Sequence, residues 1–205
     1  GLTPAALGLI LANLLPLYGV IFLHWQVFTI LFLFWLENVI IGFYNVLKML
    51  LARPENAPSW LAKIFLVPFF TFHYGFFTLI HGLFVILLFG GNFITSDLPT
   101  PDLVLSIIIK QKISYAFLAL FLSHGLSFLL NYLGKGEYTQ ANLQELMTTP
   151  YSRIVVLHLV IILGGFIVMA LKSPLSGLIL LIVLKIYTDM RSHLKEHGKF
   201  KRRAV

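Results

Sequence analysis

The chain has 205 residues, of which 59% are hydrophobic, 15% aromatic and only 11% charged; soluble domains carry about 25% charged residues, so a water-soluble fold is excluded in favour of one integral membrane bundle. With no cysteine, disulfides, Cys-ligated zinc, iron–sulfur centres and thiol nucleophiles are excluded as well. The formal charge of +7 does not indicate nucleic acid, because Arg191, Lys195, Lys199, Lys201, Arg202 and Arg203 crowd one end and no aromatic–basic module accompanies them.

A membrane-spanning helix needs about 20 apolar residues. Runs at 4–23, 27–48, 62–89, 113–133, 154–171 and 174–188 qualify. The expected fold class is therefore all-α: a polytopic transmembrane bundle of about six helices over residues 1–190, with short interfacial helices in its loops and a basic cytoplasmic tail at 191–205. No basic stretch followed by a small-residue cleavage site opens the chain, so no removable signal peptide is expected. His24-Trp25-Gln26 joins the first two runs tightly. The polar breaker Arg53-Pro54-Glu55-Asn56-Ala57-Pro58 follows the second. The third is long enough to tilt, with a kink expected at Pro68, and Gly90-Gly91-Asn92 ends it. Pro101-Asp102 opens a short apolar stretch, 103–109, expected in the interface before Lys110 and Lys112. Gly134-Lys135-Gly136 ends the fourth run, and Leu143, Leu146 and Met147 in the next loop have the spacing of a short interfacial helix. Ser173-Pro174 starts the last run, where Lys185 can snorkel.

With six spans, Lys48, Arg53, Lys63, Lys135, Arg153, Lys185 and the tail fall on one side, against Lys110, Lys112 and Lys172 on the other. This bias places both termini in the cytoplasm and the basic tail against anionic lipid.

Five residues break the apolar runs: Glu37, His73, His81, His124 and His158. A carboxylate at mid-bilayer costs about 2.5–3.5 kcal/mol and normally has a partner. No Lys or Arg is expected at the depth of Glu37, so histidine, a metal ion or a proton must compensate it. Counted from the predicted cytoplasmic helix ends, Glu37, His73 and His124 share one layer near the bilayer midplane and His158 lies lower. His81 lies about 12 Å from His73 along the helix. Asn38 and Asn45 can hydrogen-bond across helices, and Tyr44 shares the face of Glu37. His73-Tyr74-Gly75, His81-Gly82 and Ser123-His124-Gly125 each set a glycine beside a histidine, as close helix packing or a flat ligand would require.

The run Phe34-Trp35-Leu36-Glu37-Asn38 leading to Asn45-Val46-Leu47-Lys48 is followed by His73-Tyr74-Gly75, His81-Gly82, Ser123-His124-Gly125-Leu126-Ser127-Phe128, Asn131-Tyr132 and Tyr151-Ser152-Arg153-Ile154 to His158. Together these motifs resemble the DUF6498 family, bacterial integral membrane proteins of unknown function. The likeness runs from about Asn13 to the tail. It implies a multi-span fold in the bacterial inner membrane and supplies no activity.

Three functions compete with ordinary hydrogen-bonded core histidines. In the first and favoured one, Glu37, His73 and His124, with His158 as a fourth ligand, bind Zn, Fe, Mn or Cu, and Asn38 and Tyr44 orient them. Such a centre could serve a metalloenzyme acting on a hydrophobic substrate, although no dense motif such as H-E-x-x-H is present. In the second, histidines from facing helices are axial haem ligands in an electron-transfer protein. The His73 and His81 levels would serve two haems, although about 12 Å along the axis is tight for stacked haems. In the third, Glu37 and the histidines exchange protons in a transporter or channel. Self-association is left open.

Overall fold

The computed structural model of the protein describes residues 25–53, 57–91 and 100–171, together with Tyr18 and Phe22. All regular structure among these residues is helical. The chain divides into two compact units, Gly1–Val27 with Leu159–Val205, and Phe28–His158. In the first, the Tyr18 and Phe22 rings lie 4.8 Å apart. The second unit carries the groups discussed below.

Helix α1, Val27–Leu51, is an unbroken apolar run whose backbone satisfies itself, as a membrane requires. It stops before Pro54, and its last carbonyls are capped from outside: Lys63 Nζ donates to the carbonyls of Leu50 at 2.6 Å and Ala52 at 2.8 Å. Helix α2, Ala57–Phe89, continues through Pro68 for 33 residues. At about 50 Å it exceeds the hydrocarbon thickness and must tilt or project. It ends at Gly91, whose φ of 52° is left-handed and suits glycine.

Helix α3, Pro101–Lys110, is short and well capped: Thr100 accepts from the Leu103 amide, and Pro101 opens the first turn. Helix α4, Ser114–Ser127, runs on into a π-helical turn, Phe128–Leu133, closed by the Gly134 amide donating to the Leu129 carbonyl at 2.9 Å. A 3₁₀ turn at Glu137–Thr139 leads to α5, Leu143–Leu171. Asn142 caps α5 by accepting from the amides of Gln144 and Glu145.

Among the described residues, three helical stretches are long and apolar enough to cross a membrane: Val27–Leu51, Ser59–Phe89 and Ser114–Leu133. They match the expected runs at 27–48, 62–89 and 113–133. The runs at 4–23 (apart from Tyr18 and Phe22) and 174–188, and the tail at 191–205, lie outside the described residues.

One expectation is corrected. The short interfacial helix at 143–147 is not a separate element but the first turns of α5, which continues through Pro150. Proline removes the amide that would bond the carbonyl four residues back, here that of Leu146. Asn45 Nδ2 donates to that carbonyl at 2.9 Å, so the helix loses no hydrogen bond at the proline.

Cross-helix contacts fix the directions. Lys63 meets the end of α1, while Tyr74 donates to the Asn38 carbonyl and Trp35 Nε1 to that of Thr78, so α2 runs antiparallel to α1. Tyr44 donates to the Phe121 carbonyl and Tyr132 to that of Lys48, which makes α4 parallel to α1. Asn45 faces Leu146 and Glu37 faces Arg153, so α5 is antiparallel to α1 and parallel to α2. In its most apolar window α1 is 78% buried, against 33% for α2 and 22% for α4, so α1 is the central helix.

Candidate functional site

Glu37 is buried on α1, and Arg153 Nη1 of α5 lies 3.9 Å from its Oε1. This overturns the expectation that no cation reaches the depth of Glu37. The register explains it. Going from Asn45 back to Glu37 covers eight residues of α1, and going from Leu146 forward to Arg153 covers seven of α5, so antiparallel helices bring the two charges level. Arg153 is not the start of a span but lies within α5, which begins at Leu143. At this separation the gross Coulomb attraction is about 4 kcal/mol for an effective dielectric of about 20. That is comparable to the insertion cost of the carboxylate, which is its own desolvation; the desolvation of Arg153 adds to it.

Two imidazoles of α2 reach α5 on a second line. His73 Nδ1 lies 2.7 Å from the Tyr151 hydroxyl, with the ring between Phe69 and Phe77. Further along, the buried His81 places Nε2 at 3.1 Å from His158 Nδ1. The two contacts lie eight residues apart on α2 and seven on α5, as parallel neighbours require.

The second contact has a direction. His81 Nδ1 is 2.7 Å from the Phe77 carbonyl, which can only accept, so Nδ1 carries the proton. In the neutral ring Nε2 is then an acceptor, and His158 Nδ1 must donate to it. His158 Nε2 is left as a lone pair on the outer end of the chain. A ring hydrogen thus points from His158 to His81 and on to the backbone.

Glu37 and His73 do not share a centre. Their partners Arg153 and Tyr151 are two residues apart on α5, and residues at that spacing point to opposite sides of a helix. His124 is half-buried beside Gly125, where a Cβ would approach the Tyr44 hydroxyl to 2.6 Å, so it lies at the level of Tyr44. Tyr44 leans onto α4. Among the described residues no three His, Cys, Asp or Glu side chains converge as a metal cage. Asn38 donates Nδ2 to the Phe34 carbonyl, and its buried Oδ1 has no hydrogen-bond partner.

The glycines beside histidines divide into two kinds. Gly82 seats Trp35, whose ring would meet an added Cβ at 2.4 Å, and Gly125 seats Tyr44, whereas Gly75 borders open space. Tyr151 and Arg153 are the site residues that spacing alone missed. Both stand in the motif Tyr151-x-Arg153, just before the run expected at 154–171, whereas α5 begins at Leu143.

A family model matches residues 1–205, the entire chain. The chain belongs to DUF6498, a family of unknown function. No curated protein and no solved structure matches this DUF6498 member, so its function rests on the residues themselves.

Proposed function

We propose that this DUF6498 protein exchanges protons within the bacterial inner membrane, as a proton-coupled transporter or channel. Its termini and the Lys48–Lys63 end of the bundle face the cytoplasm, following the Lys/Arg bias. The observation that carries the reading is the directed His158–His81–Phe77 hydrogen-bond chain inside the α2–α5 seam. A proton arriving at His158 Nε2 releases the Nδ1 proton to His81 Nε2, and the charge moves from one ring to the next without either leaving the bundle. The His73–Tyr151 pair is a second protonatable station on the same seam. It lies about 12 Å away along the axis, so intervening water must connect the two. The Glu37–Arg153 pair is a fixed dipole on another face of α5.

The test is proton flux into proteoliposomes loaded with a pH-sensitive dye, under a potassium diffusion potential. Wild-type protein is expected to acidify the lumen at a rate that His81→Ala and His158→Ala each reduce at least tenfold, in the range for a lost proton-transfer group. Wild-type vesicles no faster than protein-free ones would refute the proposal.

One observation favours a second reading, binding of Zn, Fe, Mn, Cu or haem iron through His158 Nε2. An imidazole whose other nitrogen donates to a fixed acceptor is oriented as metal ligands usually are, and His81 is that acceptor. In the same purified sample, stoichiometric metal or a Soret band that disappears in His158→Ala would select this reading over proton exchange.

A further inference from the structure

Where α1 ends and α4 gives way to the following turn, cations stand over aromatic rings at the margin of the bilayer. Arg53 lies just beyond the Val27–Leu51 span, and Lys135 and Tyr138 lie just beyond the Ser114–Leu133 span. We infer that this end of the bundle binds the phosphate headgroup of an anionic phospholipid, with Arg53 as its principal contact. The inference uses no residue of the histidine seam and holds on either side of the membrane. It is therefore independent of the proton relay and of the proposed orientation.

The guanidinium is positioned by the fold. The Arg53 amide donates to the Tyr138 carbonyl at 2.9 Å, and its guanidinium carbon lies 5.2 Å from the centre of the Tyr138 ring, within the range of a cation–π contact. The centre of that ring is 6.4 Å from that of Tyr132. Tyr132 in turn has Lys48 Nζ at 5.5 Å from its ring centre and donates its hydroxyl to the Lys48 carbonyl at 2.7 Å. Two adjoining rings thus hold two cations at the level where aromatic side chains and headgroups meet in a bilayer.

The cations at this end differ in what they already bind. Lys63 gives its hydrogens to the Leu50 and Ala52 carbonyls. Arg53 is exposed, and among the described residues its guanidinium makes no hydrogen bond or salt bridge. The Tyr138 hydroxyl makes no hydrogen bond among them either. Glu137 and Glu145, the described carboxylates at this end, do not pair with Arg53. An arginine presents five N–H groups in a planar fork that matches the oxygens of a phosphate, and the phenol beside it adds a further donor. The surrounding surface selects a lipid over a dissolved phosphate. Leu50 and Leu51 before Arg53, and Leu129 and Leu130 before Tyr132, are exposed. Acyl chains cover such side chains when the headgroup is anchored above them, and basic sites between helices at this level suit anionic headgroups.

The experiment uses the full chain in detergent micelles, titrated with dioctanoyl phosphatidylglycerol or dioctanoyl phosphatidylcholine and read by native mass spectrometry as lipid retained on the released protein. Wild-type protein is expected to retain the glycerol lipid at concentrations where the choline lipid is lost. Arg53→Ala should weaken that binding at least tenfold, as loss of a charge-assisted contact implies. Arg53→Lys keeps the charge without the fork and should still bind about threefold or more weakly than wild type. Arg202→Ala, in the basic tail, should bind as wild type does. Circular dichroism confirms that each variant remains helical. Equal retention of the two lipids, or a wild-type affinity in either Arg53 variant, overturns the proposal. An equal loss in Arg202→Ala overturns it too, because net charge alone would then account for binding. Displacement of the lipid by inorganic phosphate at equal concentration would show that a dissolved anion, and not a lipid, is the occupant.

Discussion

At the scale of single residues, the decisive pair is Glu37 and Arg153. Each alone is an expensive guest in a bilayer, and together at 3.9 Å they offset much of that cost. Arg153 keeps a third of its side chain exposed, against 11% for Glu37, so the carboxylate is the more buried of the two charges. Arg153→Met is expected to lower stability by about 2 kcal/mol, below the 3–5 kcal/mol typical of fully buried pairs. Glu37→Gln alone should cost less, because Gln needs no counter-charge. In the double variant the losses should fall short of the sum by at least about 1 kcal/mol in thermal unfolding. Additive losses would mean that the two groups are neighbours without being coupled.

At the scale of elements, α5 shows how a helix survives a proline in its interior. Pro150 would orphan the Leu146 carbonyl, and Asn45 of α1 supplies the missing donor. Asn45→Ala is therefore expected to cost about 1–2 kcal/mol, the usual loss when a buried acceptor goes unmet. The same change made on Pro150→Ala should cost less than half as much, because the alanine amide restores the intrahelical bond. Equal losses in both backgrounds, measured by thermal unfolding, would show that Asn45 serves something other than the proline. This compensation also explains a misreading of the sequence. A proline after Leu143, Leu146 and Met147 looks like a break between a short helix and a span, and nothing in the local pattern shows a donor more than a hundred residues upstream.

At the scale of the whole molecule, the contacts put the end of α1, the start of α2 and the turn after α4 together. Arg53 donates its amide to the Tyr138 carbonyl and lies over that ring at 5.2 Å, while Lys48 stands over Tyr132. Because the chain has no cysteine, single cysteines report topology cleanly. On intact cells a membrane-impermeant maleimide should label Asp102→Cys, and should reach Glu137→Cys only after the membrane is opened. Labelling of both from outside would break the proposed orientation. The spans of α1, α2 and α4 were legible because apolar length is itself the physical requirement for crossing a bilayer. The pairings of His81 with His158 and His73 with Tyr151 were not, since axial counting gives height and not rotation about the helix. His73 and Glu37 can share a height and still face opposite sides of α5.

The lysine cap on α1 has a consequence for how the protein is made. Lys63 follows Leu50 by 13 residues, so the α1–α2 hairpin can close its end as soon as both segments have left the ribosome. Glu37 has no such early companion in Arg153, which is synthesised only after α2, α3 and α4. The Arg153 contact of Glu37 therefore forms late, after the hairpin end is closed, so Arg153→Met should leave the Lys63 cap on α1 unchanged.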